Sequence, residues 1–365
     1  MKTQPRVLIC AGHTGGHFFP ALSCAEAFQA RYPEVEIHFL LSKMPAFVKE
    51  AAKNNSFQFH LIPFSSIPPF FSLKMILFLL EYAKAFWNTA FLIAKLKPKL
   101  VLGFGSYSSV PAVLCASGLA VPVLLHEQNA SFGRANQFLA FWASRVAISF
   151  PETHGKVAKH KVFYSGYPLR SAFLNHQDRA VSEKPFTILV FGGSQGARHL
   201  NQVFLESLKV FNTEEKVGLA VIHIVGSDDM HEVAQTYQRL GIGADVCSFS
   251  DRIAEYYQRA NLVISRAGAG TIFELAAVGR AAILIPYPHA YAHQKINAEY
   301  LASQRSARMI HDANLDARVL SETIRELRMD TRQRIELAQK IKSISKPDAS
   351  QILVTIGWEL ACAKN

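Results

Sequence analysis

Residues 6–17 read RVLICAGHTGGH, and residues 186–196 read FTILVFGGSQG. Each begins as a short apolar, β-branched run, which favours a strand, and passes straight into a glycine turn. Each turn leads into a stretch of helical pattern. Further apolar strand candidates follow, separated by helical segments. In the first half they are residues 36–41, 100–103, 122–125 and 146–148; in the second, 220–225, 262–264 and 282–286. Strands alternating with helices predict parallel, doubly wound α/β sheets, one in each half. A polar segment over 175–185 is the natural boundary between the halves, and a last helix is expected from Gln351 to about Cys362.

The bulk composition agrees. A chain of 365 residues is too long for one ordinary core, so two domains are expected. Half of its residues are hydrophobic and 18% are charged, which favours a folded globular protein. The net charge of +11 attracts polyanions, but no basic block and no zinc-finger spacing is present, so nucleic acid is not an expected partner. The five cysteines are scattered and form no CxxC pair, which predicts free thiols and a reducing cytoplasm. The first residues run straight into a strand, without the longer apolar core of a secretory signal.

Residues 72–99 carry an apolar run, MILFLL over 75–80, broken by Lys74, Glu81 and Lys84. The charges argue against a membrane span. Two readings stay open: a buried core helix, or a helix whose apolar face, beside Lys74, Lys84, Lys95, Lys97 and Lys99, rests on an anionic membrane surface.

A glycine turn at a helix N-terminus offers backbone N–H groups and the positive end of the helix dipole, a setting for phosphate. A third such cluster, RAGAGT over 266–271, follows strand 262–264, with Glu274 one turn on. A dinucleotide fold of the NAD type needs an acid at the end of its second strand. The first half ends that strand FLLSK, and in the second Asp228 and Asp229 lie beyond the strand. No Walker lysine follows the glycines, so neither an oxidoreductase nor an ATPase is expected.

At these residues the chain resembles the MurG family of GT-B glycosyltransferases. The resemblance lies in GHTGGH (12–17), GFGSYSSVPA (103–112), HEQN (126–129), GGSQGAR (192–198) and HQKINA (293–298), which run in the family's order across nearly the whole chain. It implies two Rossmann-like domains facing a central cleft. Residues 1–166, completed by 347–365, would form the acceptor and membrane side, and 167–346 the UDP-sugar side. It implies transfer of N-acetylglucosamine from UDP-N-acetylglucosamine to a lipid-diphosphate-linked muramoyl-pentapeptide, with inversion, at the cytoplasmic face of the bacterial inner membrane. The chain departs from the family pattern at His13, Tyr167 and Gly270.

Residue by residue, histidine suits the removal of a proton from a sugar hydroxyl near neutral pH. His17, at the helix start, is the candidate base or acceptor-phosphate ligand, and Glu127 at a strand's carboxyl edge is the alternative base or acceptor-orienting group. By resemblance, Thr14, Gly15 and Gly16 line the first loop. Tyr107, Asn129 and Asn136 are polar cleft contacts, with Asn129 reaching the acetamido sugar. Arg170, Ser194 and the Ala269-Gly270-Thr271 turn would hold the diphosphate. Glu274 would accept the ribose hydroxyls, Gln294 would read sugar hydroxyls, and the backbone of Ser250 would meet uracil. No Asp-x-Asp motif is present, so no metal or other cofactor is expected. His289 and His293 have i,i+4 spacing, but Pro286, Pro288 and the want of a third ligand argue against zinc. Two other functions share this shape: a UDP-sugar epimerase, for which 72–99 would be plain core, and a non-catalytic polyanion- or membrane-binding protein.

Overall fold

The computed structural model describes residues 4–63, 74–174, 182–193, 198–226, 228–288 and 293–363. The chain divides into two units, Met1–Arg170 with Lys346–Asn365, and Ser171–Ser345.

In the first unit, β1 (Arg6–Cys10), β2 (Glu36–Leu41), β3 (Gln58–Leu61), β4 (Leu100–Gly103), β5 (Val123–Glu127), β6 (Arg145–Ile148) and β7 (Val162–Tyr164) form a parallel sheet in the order β3-β2-β1-β4-β5-β6-β7. Helices α1 (Gly15–Arg31), α2 (Ala46–Asn54), α3 (Lys74–Leu96), α4 (Ser109–Gly118) and α5 (Arg134–Leu139) connect the strands. The central strands are apolar on both faces because both are covered. Val7, Ile9, Ile37 and Phe39 join the core beneath α1, while Leu8, Cys10, Leu40 and Val101 join a second core with Ile93, Val113 and Ala116.

The second unit repeats the plan. Its strands β8 (Phe186–Phe191), β9 (Leu219–Ile224), β10 (Gly243–Cys247), β11 (Leu262–Ser265), β12 (Ala281–Leu284) and β13 (Arg308–Met309) lie in the order β10-β9-β8-β11-β12-β13. Its helices are α6 (Ser171–Leu174), α7 (Arg198–Lys209), α8 (Thr213–Lys216), α9 (Met230–Leu240), α10 (Ile253–Arg259), α11 (Ala269–Val278), α12 (His293–Ser303), α13 (Ala317–Met329) and α14 (Thr331–Lys342). In each unit the first strand sits between its second strand and one that follows later, and this reversal of strand order is where an α/β sheet opens a crevice at its carboxyl edge.

The chain then returns to the first unit as α15 (Ala349–Cys362), which packs Leu353, Val354 and Ala361 into the core beside α1. Tyr32 stacks on Trp358 with ring centroids 4.6 Å apart. The division falls after Arg170, four residues beyond Gly166 and short of the polar segment at 175–185, of which 175–181 lie outside the described residues. Tyr167 and Arg170 explain it: the phenol donates to the Gly16 carbonyl at 3.3 Å, and the guanidinium stacks 4.5 Å from the Phe19 ring centroid. The outgoing and returning passages touch at Gly166, which has φ +81°; a Cβ there would lie 2.6 Å from Cβ of Lys346, so this crossing requires glycine.

Helix α3 does not behave as a core helix. Its buried residues are Ala85, Thr89, Ile93 and Leu96, one narrow stripe facing α4. Trp87 is 76% exposed and Phe91 69%, and Ile76, Leu77, Leu79 and Leu80 are exposed as well. By length and composition the helix could cross a membrane. It is, however, the crossover between β3 and β4 of one sheet, so it lies along that sheet.

Candidate active site

In the first unit the site is built at the carboxyl ends of β1 and β4. Phe104 N–H donates to the Cys10 carbonyl at 2.8 Å, and the Ser108 hydroxyl donates to the Ala11 carbonyl at 3.2 Å, holding the two loops together. Thr14 occupies the N-cap of α1, yet its hydroxyl makes no cap hydrogen bond; it pairs instead with Nδ1 of His17 at 2.8 Å. That contact fixes the ring and turns Nε2 toward Gly105. Gly105 has φ +77°, and a Cβ there would meet His17 Cδ2 at 3.2 Å, Nε2 at 3.4 Å and Nδ2 of Asn136 at 3.5 Å. Thr14, Gly15, Gly16 and His17 thus lie together, with Arg170 on Phe19 one turn along and Tyr107 exposed on the β4–α4 loop.

Glu127 is not a surface carboxylate: it is 1% exposed. Oε1 accepts from Asn129 N at 3.0 Å and Asn129 Nδ2 at 3.1 Å; Oε2 accepts from Gly133 N at 3.0 Å and Asn136 Nδ2 at 2.8 Å. Four donors occupy a carboxylate's acceptor capacity, so Glu127 organises the β5–α5 loop and orients Asn129. Asn136 departs from its expected place as a cleft contact. It is 2% exposed, its amide also donates to the His126 carbonyl at 3.1 Å, and its Oδ1 is buried without a protein partner.

His126, also buried, closes the network beneath. Gln128 Nε2 lies 3.2 Å from its Nδ1, and Nε2 faces the Gly166 carbonyl at 3.2 Å and Ser149 Oγ at 3.1 Å. With the amide donating to Nδ1, the ring proton sits on Nε2 and is given to Gly166. Burial pushes its pKa down to about 4. In the second unit His223 bridges Tyr237 OH at 2.8 Å and Asn201 Oδ1 at 3.1 Å, and burial likewise pushes it down to about 4. An unfolded histidine takes up its proton near pH 6.5, so between 6.5 and 4 the unfolded chain binds protons that the folded chain does not. The stability these rings contribute is whole above pH 6.5 and is lost as pH falls toward 4, roughly 3 kcal/mol each. The urea midpoint of wild type minus that of His223→Gln should therefore shrink from pH 7.5 to 4.5; a constant difference would reject the assignment.

In the second unit Gly192 and Gly193 directly follow β8, while Ser194 lies outside the described residues. Asp228 accepts from Arg198 Nε at 3.2 Å and Asn201 Nδ2 at 2.7 Å, tying α7 to the end of β9, and Asp229 caps α9 through His231 N at 2.8 Å. These acids serve the fold rather than a ribose. Helix α11 opens on Gly268, which offers no side-chain cap and leaves the Ala269-Gly270-Thr271 turn without an acid in its first turn. Glu274 lies further along the same helix, and the phenol of Tyr257 donates to its Oε2 at 3.3 Å. Gln294 Oε1 accepts from Tyr287 N at 2.9 Å, tying the start of α12 to Tyr287, and its amide N–H groups are the part that can address a sugar. Ser250 Oγ accepts from Arg252 N at 3.1 Å at the start of α10.

Two features of this edge have no local signal in the sequence. Buried Arg266 donates to the Ile285 carbonyl at 3.2 Å and pairs closely with Asp312, joining the ends of β11 and β12 to the segment after β13. Tyr257 and Glu274 come from different helices. His293 begins α12, and its proposed mate His289 lies outside the described residues. Among the described residues no group of three metal-ligating side chains gathers.

Two parallel-sheet α/β units of this plan form the GT-B type of fold. Residues 7–148 match the glycosyltransferase family 28 N-terminal domain, and 187–353 match the family 28 C-terminal domain. The UDP-N-acetylglucosamine–N-acetylmuramyl-(pentapeptide) pyrophosphoryl-undecaprenol N-acetylglucosamine transferase of Pseudomonas syringae pv. syringae is 36% identical over 357 residues, 97% of this chain and 98% of that protein. The Geobacter metallireducens protein of the same name is 34% identical over 354 residues, 96% of this chain and 97% of its own. The crystal structure of Acinetobacter baumannii MurG matches with a TM-score of 0.77 and 28% identity, covering 97% of this chain and 99% of that one. The chain belongs to the MurG family. A UDP-N-acetylglucosamine 2-epimerase from Neisseria meningitidis, with a TM-score of 0.68 but 10% identity, shares the fold alone.

Proposed function

We propose that this chain transfers N-acetylglucosamine from UDP-N-acetylglucosamine to the muramoyl sugar of a lipid-diphosphate-linked pentapeptide, with inversion. The observation that carries the reading is His17, held by Thr14 at the carboxyl edge of β1, within a chain similar along nearly its whole length to transferases of that name. His17 takes the proton of the attacking hydroxyl as its oxygen bonds to the anomeric carbon and the bond to UDP breaks. Helix N-termini and Arg170 meet the charge left on UDP, which is electrostatic stabilisation of the kind that needs no metal. Asn129, held by Glu127, faces the acetamido sugar, and Glu274 takes the ribose hydroxyls.

The acceptor's lipid tail stays in a bilayer, so the first unit works at a membrane surface. The exposed apolar face of α3 supports this and opposes the epimerase reading, for which α3 would be core. Leu119, Phe138 and Phe141 add exposed apolar bulk on α4, α5 and their loops. On this reading the protein is peripheral, on the cytoplasmic face of the bacterial inner membrane.

Conversion of UDP-N-acetylglucosamine to UDP that requires the lipid-linked acceptor tests the activity. Glu274→Ala should weaken UDP binding by roughly 1–3 kcal/mol, the loss of hydrogen bonds to a charged acceptor. Calorimetry showing unchanged affinity would remove Glu274 from the site.

A further inference from the structure

A glutamate side chain turns freely about its torsions, and ordering it against two vicinal hydroxyls costs entropy unless another group holds it beforehand. Tyr257 is placed to do so. It is fully buried, with its ring edge-on to Phe173 at 5.7 Å and to Phe191 at 5.8 Å, the last residue before Gly192. Its backbone is pinned too. Arg280, just beyond α11, donates from Nε to the Tyr257 carbonyl at 3.0 Å and from Nη2 to the Gln258 carbonyl at 3.2 Å. The short helix α10 is thereby fixed to both ends of its surroundings, the strand that delivers the glycine turn and the helix that carries Glu274. From that mount the phenol donates to Glu274 Oε2 at 3.3 Å. A buried hydroxyl has no water to turn to, so this bond to a charged acceptor is strongly preferred over none.

We propose that Tyr257 is a positioning residue that sets the ribose specificity of the donor site, by holding one carboxylate oxygen of Glu274 so that the group is already oriented for a 2′,3′-diol. The proposal rests on the assignment of Glu274 to the ribose. It makes the site selective for ribonucleotides, and it links the ribose contact to the strand leading into the phosphate turn through Phe191.

The test uses the full chain and two probes, UDP and 2′-deoxy-UDP, titrated calorimetrically into wild type, Tyr257→Phe, Glu274→Gln and the double variant, with thermal melts to confirm folding. Wild type should prefer UDP about tenfold or more. Tyr257→Phe should lower UDP affinity about three- to tenfold, leave 2′-deoxy-UDP within twofold, and raise the donor KM with kcat within twofold. The double variant should bind UDP no worse than Glu274→Gln, because both changes act through one carboxylate. If Glu274→Gln loses the preference while Tyr257→Phe keeps it, Glu274 meets the ribose unaided and the proposal fails. Equal weakening of both probes by Tyr257→Phe marks a merely structural tyrosine and also overturns it. If neither single variant changes the preference, the ribose assignment of Glu274 itself is wrong.

Discussion

Replacing His17 with alanine is expected to lower kcat by about 10²–10⁴-fold, the contribution of a positioned general base. UDP affinity should change little, because His17 is assigned to the acceptor hydroxyl rather than to UDP. The geometry that supports so large an effect is the Thr14 contact at 2.8 Å, which orders the imidazole at the carboxyl edge of the paired strands β1 and β4. Thr14→Val, which leaves the ring but frees it, should cost less, about tenfold. Steady-state kinetics with a lipid-linked acceptor separates the two roles open to His17. A base lost shows as a fall in kcat at saturating acceptor. An acceptor-phosphate ligand lost shows as a rise in acceptor KM with kcat held, and that result would move the base elsewhere.

The second large effect concerns α3. Binding to vesicles containing anionic lipid should be firm at low salt, weaken as salt rises, and fall about a hundredfold or more in Lys74→Glu/Lys84→Glu. Each lysine near an anionic leaflet contributes about 1 kcal/mol, and reversing its charge adds repulsion to the loss. Surface attraction decays over about 8 Å at physiological ionic strength, so the salt series reports charge, while Trp87→Ser and Phe91→Ser should weaken binding at every salt concentration. Equal binding by wild type and the charge-reversed double variant would place the membrane contact on another face.

How much of this was legible in the sequence depends on how far apart the cooperating residues lie. Strand, glycine turn and helix are adjacent in the chain, so 6–17 and 186–196 announce both sheets. His17 is legible for the same reason: it sits three residues from the threonine that orients it. The fate of Glu127 is not, although its donors lie at 129, 133 and 136, because only the folded turn shows that all four point inward. Tyr257 and Glu274 are farther apart still, on helices separated by a strand. Helix α3 defeats pattern reading in another way. It is apolar nearly all round, and its buried stripe holds Ala85 and Thr89 while Trp87 and Phe91 face out, so periodicity cannot say which side is inward.

The return of α15 to the first unit has a consequence for the order in which the protein matures on the ribosome. Every strand of the first sheet has been synthesised by Tyr164, yet Leu353 and Val354, which cover the apolar side beneath α1, are made only after the whole second unit. That helix packs closely at Gly357, where a Cβ would lie 2.9 Å from a Leu100 methyl. Since domains fold as their residues emerge, the half synthesised first must wait, with a core face open to solvent, while the entire second half is translated. The nascent chain therefore completes its later unit before its earlier one, and a stop codon near residue 345 would strand the first unit unsealed while leaving the second intact.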